Sequence, residues 1–193
     1  MKEKGFKLVE TAYLAEEIEY TGAELRSHFV REKAGIEWDG VVAFTGASRV
    51  AGTRLVDLED AEEQHEIRAK RMLHFIGEHF QCSLREGNVR LRLFASIVQG
   101  ALEEMSPESR IVRVGDDLFA NDRKLSVAIC TVSPLSLVFH FGINVDPSGA
   151  PVSAVGLKKF GIDAKPFALV VLQRYERECE SIERALRKVR GVS

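Results

Sequence analysis

The segment from Gly115 to Ile129, GDDLFANDRKLSVAI, constrains this chain more than any other part of its sequence. It begins with the paired carboxylates of Asp116 and Asp117 and passes through Ala-Asn-Asp-Arg at positions 120–123. These are typical turn residues, and Lys124 then opens a strand of small and β-branched residues. The segment predicts a hairpin that brings acidic and cationic groups together, as a nucleotide or phosphate site requires.

The composition narrows the class of protein. With 193 residues and 45% hydrophobic residues, the chain can bury a core and predicts one domain over residues 1–193. The net charge of -2, without a polybasic block, argues against nucleic acid and anionic membranes as partners. We find no membrane-spanning run and no signal core in MKEKGFKLVE, and Cys82, Cys130 and Cys179 lie far apart. We therefore expect a cytoplasmic protein with reduced thiols.

The first half of the chain predicts a mixture of short elements. We expect a strand over Phe6–Tyr13, a helix from a capping box at Thr21–Glu24 to Ala34, and a short strand over Val41–Thr45. Gly46–Gly52 reads as a flexible loop bounded by glycines. The segment Glu66–Phe80 reads as a helix. Its apolar positions are Ile67, Leu73, Ile76 and Phe80.

The second half of the chain gives clearer patterns. Asn88 is expected to cap a helix that ends at Ser106-Pro107. The apolar face of this helix comprises Leu91, Phe94, Val98, Ala101 and Met105. Three strands and a closing helix follow, over Ile111–Val114, Lys124–Val132, Leu137–Asp146 and from Pro166 to about Val189. The apolar stripe of the closing helix comprises Phe167, Val171, Tyr175, Cys179, Ile182 and Leu186. Together they predict an α+β fold, a single domain with a mixed or antiparallel sheet flanked by helices.

Small and polar residues share one face of the two long strands if their turn centres near Pro134. The cross-strand pairs would then be Lys124 with Asn144, Ser126 with Gly142, and Ala128 with His140. Such a face leaves room for a ligand and places a cation at its edge. An antiparallel sheet with one solvated face explains the same pattern, and a slip of one residue would move Lys124 off this face.

Several other polar groups leave two interpretations open. Asp57 and Asp60 with His65 could bind a divalent cation, although acidic residues at the start of a solvated helix give the same pattern. We expect His74 and His79 to be structural. His140 is either a residue of the cleft face or a packed core histidine.

The hairpin segment resembles that of the biotin and lipoate protein ligases. Those enzymes have a segment close to Asn-Asp-Leu, a short turn and Arg-Lys-Leu, and this chain has Asp116-Asp117-Leu118, a turn and Arg123-Lys124-Leu125. Gly142-Ile143-Asn144-Val145 is similar to the family's Gly-Ile-Asn-Val strand end. The resemblance covers about residues 90 to 190. The whole chain also looks like members of an uncharacterised prokaryotic family of this length that is thought to share the ligase fold.

The resemblance implies a reaction and the residues for it. In the ligases an acid and ATP form an acyl-adenylate, and the acyl group then passes to a lysine of a carrier protein. Lys124 matches the lysine that contacts the acid and the α-phosphate, and Asp117 matches the aspartate that helps to hold the nucleotide and Mg²⁺. Arg49 would close over the anion. The remaining implied ligand-binding residues are Asp116, Ser126, His140, Gly142 and Asn144.

Three differences from the ligase motifs leave open a second interpretation, in which the chain binds a ligand without catalysis. Asp116 replaces an asparagine, Val127 replaces a glycine, and Gly46–Gly52 is only a weak counterpart of the family's glycine-rich, arginine-containing loop. The related octanoyl transferases use a cysteine thiolate, but residues 152–161 contain no cysteine, which excludes thioester chemistry there. The expected partners are a small carboxylic acid and an acyl-carrier protein, with self-association left open. The alternative is a non-catalytic module that binds a ligand or nucleotide.

Overall fold

The computed structural model describes residues 8–62 and 66–192, and a five-stranded sheet forms its centre. The strands are β1 (Glu10–Tyr13), β2 (Gly40–Val50), β3 (Ile67–His79), β4 (Ile111–Val114), β5 (Asp117–Ala120), β6 (Arg123–Lys124), β7 (Ser126–Val132) and β8 (Leu137–Asp146). The helices are α1 (Phe29–Ala34), α2 (Leu58–Glu62), α3 (Leu84–Met105) and α4 (Ala164–Arg187). The main sheet has the order β1-β2-β3-β8-β7, and a small second sheet has the order β4-β5-β6. The predicted α+β fold is confirmed.

The two long helices cover one face of the main sheet. Their apolar stripes pack on inward-facing sheet residues, and an aromatic cluster of Phe75, Phe94, Phe139, Phe141 and Tyr175 lies between them. Most of the apolar positions predicted for α3 and α4 are buried, but Met105, Ile182 and Leu186 lie exposed near the helix ends. Ser83 rather than Asn88 caps α3, because its hydroxyl accepts a hydrogen bond from Glu86 N–H.

The opposite face of the sheet is also covered. A second apolar cluster joins Tyr20, Phe29 and Ile36 from the segment before β2 to Phe44 and Ile76 on the strands. The central strands are therefore buried on both sides. The sheet does not have the solvated face that the strand pattern had left open.

The predicted helix over Glu66–Phe80 is wrong. Residues 67–79 form β3, which pairs with β2 on one side and β8 on the other. Met72 to His79 are all buried, because both sheet faces are covered. A strand of this kind loses the polar–apolar alternation that distinguishes strands from helices in a sequence.

Long-range packing also changes the N-terminal elements. Glu24 accepts the backbone N–H of Thr21 at 2.7 Å, as a capping box requires, yet the helix spans only Phe29–Ala34. The predicted short strand and glycine-bounded loop are one strand, β2, up to Val50. Its Gly46 is required there, since a Cβ would lie 1.8 Å from the carbonyl oxygen of Ile18. The predicted strand over Phe6–Tyr13 is found at Glu10–Tyr13, and Phe6 lies outside the described residues.

Candidate functional site

The hairpin between β5 and β6 places the predicted lysine and carboxylate side by side. Asn121 and Asp122 form its turn with φ angles of 49° and 59°, in the left-handed region that Asn and Asp tolerate. Phe119 pairs with Lys124 across the turn. Asp117 lies two residues before Phe119, so it shares a face with Lys124 and is its diagonal neighbour. The sequence-predicted turn is confirmed.

The ammonium of Lys124 contacts the predicted carboxylate directly. Its Nζ lies 2.8 Å from Asp117 Oδ2, and the two side chains are 32% and 28% exposed. The backbone of Lys124 is fixed on two sides: its N–H donates to Ser153 O at 3.0 Å, and its carbonyl accepts from Val155 N–H at 3.0 Å. The backbone therefore presents the amine from a rigid position, while the side chain still reaches solvent.

The predicted register between the two long strands is wrong by one residue. Ser126 pairs with Ile143, and His140 pairs with Ile129. Ser126 therefore faces the helices, where its buried Oγ accepts a hydrogen bond from Leu118 N–H at 2.8 Å. The structure gives Ser126 a structural role and places it away from the predicted cleft face.

Lys124 nevertheless stays on the cleft side because the predicted strand Lys124–Val132 is interrupted. Lys124 ends β6 in the small sheet, whereas β7 begins at Ser126 in the main sheet. The residue between them, Leu125, is fully buried. This break changes the alternation by one residue, so Lys124 and Val127 lie on the same side. Because of this break, Lys124 lies on the cleft side even though the register between β7 and β8 differs by one residue from the predicted one.

Lys124 borders a first cavity of about 210 Å³, which we name the Tyr20 cavity. Asp116 and Asp117 lie at the same end as Lys124, and Tyr20 and His140 line the cavity as well. The other lining residues are mostly apolar: Val50, Arg54, Leu55, Val56, Asp57, Ile67, Val127, Ala128 and Ile129. The cavity is thus lined by charged as well as apolar side chains, and Lys124 and Arg54 are the cations that could hold a small molecule with one anionic group.

Lys124 also borders a second cavity of about 540 Å³, which we name the Asn144 cavity. Ile67 and Val127 line both cavities, and Arg68 supplies a second cation here. The remaining lining residues are Glu66, Met72, Asn144, Ala150, Pro151, Val152 and Ala154. Lys124 therefore lines two neighbouring cavities.

Asn144 and Gly142 shape the strand beside these cavities. The Nδ2 group of Asn144 donates to the carbonyl of Lys124 at 3.3 Å, and its backbone N–H donates to Leu125 O at 2.9 Å. Asn144 thus holds the strand break in place as well as lining a cavity. A Cβ at Gly142 would lie 2.9 Å from Met72 Cε and 3.0 Å from His140 Cε1, so only glycine fits there without a shift.

His140 is both a core residue and a cavity residue. Its ring stacks on Tyr20 with centroids 3.8 Å apart, and its Nε2 lies 3.0 Å from Nδ1 of His74. The Nε2 atom of His74 lies 3.4 Å from the carbonyl oxygen of Gly46. Burial lowers the pKa of His74 to about 4 and the pKa of His140 well below its usual value. Both rings are therefore neutral near pH 7.

Arg49 does not border either cavity at Lys124. Its side chain is 74% exposed, pairs with Glu19 at 3.3 Å, and lines a shallow cavity of about 560 Å³ with Arg68 and Lys70. Arg54 is the arginine from this part of the chain that reaches the Tyr20 cavity. The predicted phosphate loop is largely strand β2, which fixes Arg49 on the neighbouring surface.

The other sequence candidates stand as follows. His79 is buried and contacts Asp39 at 2.8 Å and the hydroxyl of Tyr175 at 2.9 Å, in agreement with a structural role. Burial raises the pKa of Cys130 to about 12.

Within residues 8–62 and 66–192, no group of three or more His, Cys, Asp and Glu residues could hold a metal ion. His65 and the side chain of Asp60, which belong to the predicted cation site, lie outside the described residues. No helix over this part of the chain could cross a membrane.

Sequence reasoning named Arg54 as a candidate cation beside Arg49 but missed three residues around Lys124, namely Tyr20, Arg68 and His74. Arg68 and His74 lie in the segment predicted as a helix, and a helix does not indicate which face of a sheet each side chain occupies. Tyr20 precedes the capping box and comes to His140 only because its segment runs parallel beside β2, with Tyr20 N–H donating to Ala47 O at 2.9 Å. No local pattern encodes that pairing.

The comparisons with known sequences agree with each other. A family model described as a domain of unknown function (DUF366) matches residues 9–190. The uncharacterized protein MJ0805 of Methanocaldococcus jannaschii is 31% identical over 195 residues, which cover 95% of this chain and 87% of that protein.

Solved structures place the fold among those of ligases. A protein of unknown function from Pyrococcus horikoshi matches with a TM-score of 0.89 and 33% identity, over 96% of this chain and all of that one. The biotin protein ligase of Aquifex aeolicus in complex with biotin and ATP matches with a TM-score of 0.55 and 19% identity, over 93% and 73% of the two chains. A putative lipoate protein ligase of T. acidophilum with bound lipoic acid gives 0.57 and 11%, over 89% and 86%. The predicted biotin/lipoate ligase-like fold is confirmed.

Proposed function

We propose that this chain, which belongs to the domain of unknown function family DUF366, binds a small carboxylic acid and ATP and activates the acid as an acyl-adenylate. The position of Lys124 between the Tyr20 cavity and the Asn144 cavity carries this proposal. Adenylation needs two ligands whose reacting ends meet at one cation. The ligase-like fold and the ligases solved with biotin, lipoic acid or ATP support the same class of reaction.

The two cavities suit the two ligands by their linings. An acid fits the Tyr20 cavity, with its carboxylate at the Lys124 end and its carbon chain along Leu55, Ile67 and Val127. A nucleotide fits the larger Asn144 cavity, where Arg68 adds positive charge. In this arrangement the carboxylate and the α-phosphate lie on either side of one ammonium.

The reaction then follows from charge and position. A carboxylate oxygen attacks the α-phosphorus, the bond to the pyrophosphate oxygen breaks, and pyrophosphate carries away the electron pair. Lys124 stabilises the negative charge on the α-phosphate oxygens in the transition state, and it is preorganised by its backbone hydrogen bonds. The carboxylates of Asp116 and Asp117 fit Mg²⁺, which prefers one or two carboxylates together with phosphate oxygens and would neutralise charge on the phosphates.

A second function has specific observations in its favour. Val127 lines both cavities, where the ligases have glycine, and Asp116 adds negative charge to the Tyr20 cavity, where the carboxylate of the acid is expected. Arg49 lies on the neighbouring surface instead of over the cavities. A module that binds an acid or a nucleotide without turnover would tolerate all three features. Only the catalytic function would involve an acyl-carrier protein as the acceptor of the acyl group.

An ATP–pyrophosphate exchange assay over a panel of carboxylic acids tests the proposal. We expect exchange with at least one acid, and a loss of about 100-fold or more in Lys124→Ala, the size seen when one charge-stabilising group is removed from an active site. Lys188→Ala removes an exposed lysine at the end of α4 and serves as the matched control.

Each outcome of this assay decides between the two functions. The absence of exchange with any acid contradicts adenylation, and exchange that does not depend on Lys124 contradicts the role proposed for Lys124. Thermal-shift measurements with ATP and the same acids then identify the module, because a ligand that binds the native state raises the unfolding temperature whether or not it reacts.

A further inference from the structure

We infer that the Tyr20 cavity selects carboxylic acids that carry a hydrogen-bond donor, an N–H or O–H group, away from the carboxylate. The Nδ1 atom of His140 would accept a hydrogen bond from this donor. The inference rests on the proposed acid site and specifies its substrate class. It follows from the chain of contacts from Gly46 through His74 to His140.

The backbone determines which nitrogen of each ring carries the proton. The carbonyl of Gly46 can only accept, so Nε2 of His74, at 3.4 Å, must be the protonated nitrogen. A neutral His74 then has an unprotonated Nδ1, which accepts from Nε2 of His140 at 3.0 Å. His140 is left with an unprotonated Nδ1, which can only accept a hydrogen bond.

The surroundings keep both rings in this neutral state. His74 is fully buried and His140 is 2% exposed, and the stacked ring of Tyr20 covers His140. Protonating either ring would place an imidazolium in this desolvated site, which is why burial lowers both pKa values. His140 therefore offers an acceptor and cannot readily become a donor.

The rest of the cavity makes this acceptor selective. His140 lines the cavity together with Tyr20, Lys124 and apolar side chains such as Val127 and Ile129, and carboxylates and Arg54 line it as well. An acid anchored at Lys124 would meet the Nδ1 atom of His140 as the uncharged side-chain acceptor of a ring in this wall. A ligand without a donor would exclude water from Nδ1 and leave it unpaired, which is costly for a buried polar atom.

The tautomer can be measured without a ligand. Long-range ¹H–¹⁵N correlation spectra of the ¹⁵N-labelled full chain at pH 7 distinguish protonated from unprotonated ring nitrogens. We expect both His74 and His140 to carry the proton on Nε2 and to have an unprotonated Nδ1. A proton on Nδ1 of His140 overturns the inference and leaves the proposed acid site unaffected.

Selectivity is measured with matched acids by isothermal titration calorimetry. The probes are ω-hydroxyalkanoates against unbranched alkanoates with the same number of heavy atoms, in several lengths, and biotin against lipoic acid. For at least one length we expect the hydroxy acid to bind about tenfold or more tightly, in line with the cost of an unpaired buried acceptor. We also expect biotin, with its two ureido N–H groups, to bind more tightly than lipoic acid.

Two variants separate this inference from the proposed function. His74→Leu removes the acceptor that fixes the ring of His140, so the preference for donors should fall severalfold while alkanoates still bind. Lys124→Ala should weaken both members of each pair equally. Lys124-dependent binding without any donor preference overturns only the inference. Absence of binding by every acid overturns the acid site and the inference together.

Discussion

The two buried histidines show how a single residue in this chain depends on its partners. His74 has no direct place in the Tyr20 cavity, yet it determines the hydrogen-bonding state of His140. His140 in turn supports the ring of Tyr20 at 3.8 Å. The chemistry of the cavity therefore depends on a residue one strand away.

The burial of His74 and His140 predicts how the free energy of unfolding changes with pH. Both histidines have lowered pKa values in the folded state, so below pH 6.5 the unfolded state binds more protons. The free energy of unfolding should then fall as the pH decreases from about 6.5 toward 4, by about 3 kcal/mol from His74 alone, since one pKa unit corresponds to about 1.4 kcal/mol. Urea unfolding at several pH values between 7.5 and 5 measures this slope.

The variant His74→Gln supplies the control for that slope. Glutamine keeps hydrogen-bonding groups but does not titrate, so the decrease in stability between pH 6.5 and 5 should become smaller. An unchanged slope in this variant would assign the pH dependence to other groups. The comparison is best restricted to pH 5 and above, where exposed carboxylates remain ionised.

At the scale of elements, the N-terminal segment that runs parallel beside β2 builds one wall of the site. Ile18 N–H donates to Thr45 O at 3.0 Å, Tyr20 N–H donates to Ala47 O at 2.9 Å, and Arg49 N–H donates to Tyr20 O at 2.9 Å. These bonds hold the segment against β2 at Gly46. The absence of a side chain at Gly46 allows this close approach, so the glycine is required by packing rather than by backbone flexibility.

The substitution Gly46→Ala tests this close approach. Its Cβ would lie 1.8 Å from Ile18 O, so the segment must move and Tyr20 must leave His140. We expect the free energy of unfolding to fall by about 2 kcal/mol or more, at the upper end of the cost of overpacking, as measured by urea unfolding.

The same change at another glycine gives the matched control. Gly100 lies inside α3, with no atom within 4 Å of an added Cβ. Gly100→Ala should raise stability by about 0.5–1 kcal/mol, because alanine favours the helix. If Gly46→Ala is as well tolerated, the segment does not approach β2 at Gly46 as closely as described.

At the scale of the whole molecule, the main sheet joins the two halves of the chain. β1 and β2 come from the first half, β7 and β8 from the second, and β3 pairs with both β2 and β8. Two layers of packing, one under the helices and one under the N-terminal segment, share these strands. We therefore propose that the chain behaves as one cooperative unit, as the sequence predicted for residues 1–193.

Cooperative unfolding is tested by hydrogen–deuterium exchange at a series of urea concentrations. Peptides from β2 (residues 40–50) and β8 (residues 137–146) should lose protection at the same midpoint, because each strand loses one of its two neighbours when β3 is lost. A lower midpoint for β2 would show that the N-terminal part opens separately and would contradict a single unit.

Much of the second half of the chain was predictable because its signals are local. The apolar periodicity of α3 and α4, the Asn-Asp turn and the strand over Leu137–Asp146 each follow from neighbouring residues. The proximity of Lys124 to Asp117 also followed, since one tight hairpin brings them together. The family resemblance rests on the same local segment and correctly indicated the fold.

The sequence alone determined a core, an α+β mixture and a hairpin with a lysine beside a carboxylate, since turn chemistry and helical periodicity act over a few residues. Only the tertiary structure decided that β3 is a strand, that Ser126 faces the helices, and that Tyr20 and His74 complete the wall around His140. These features depend on strand register and on segments that meet from distant parts of the chain. A strand that is buried on both faces of its sheet shows no polar–apolar alternation in its sequence. A register shift of one residue turns the side chains of a strand to the opposite faces of the sheet.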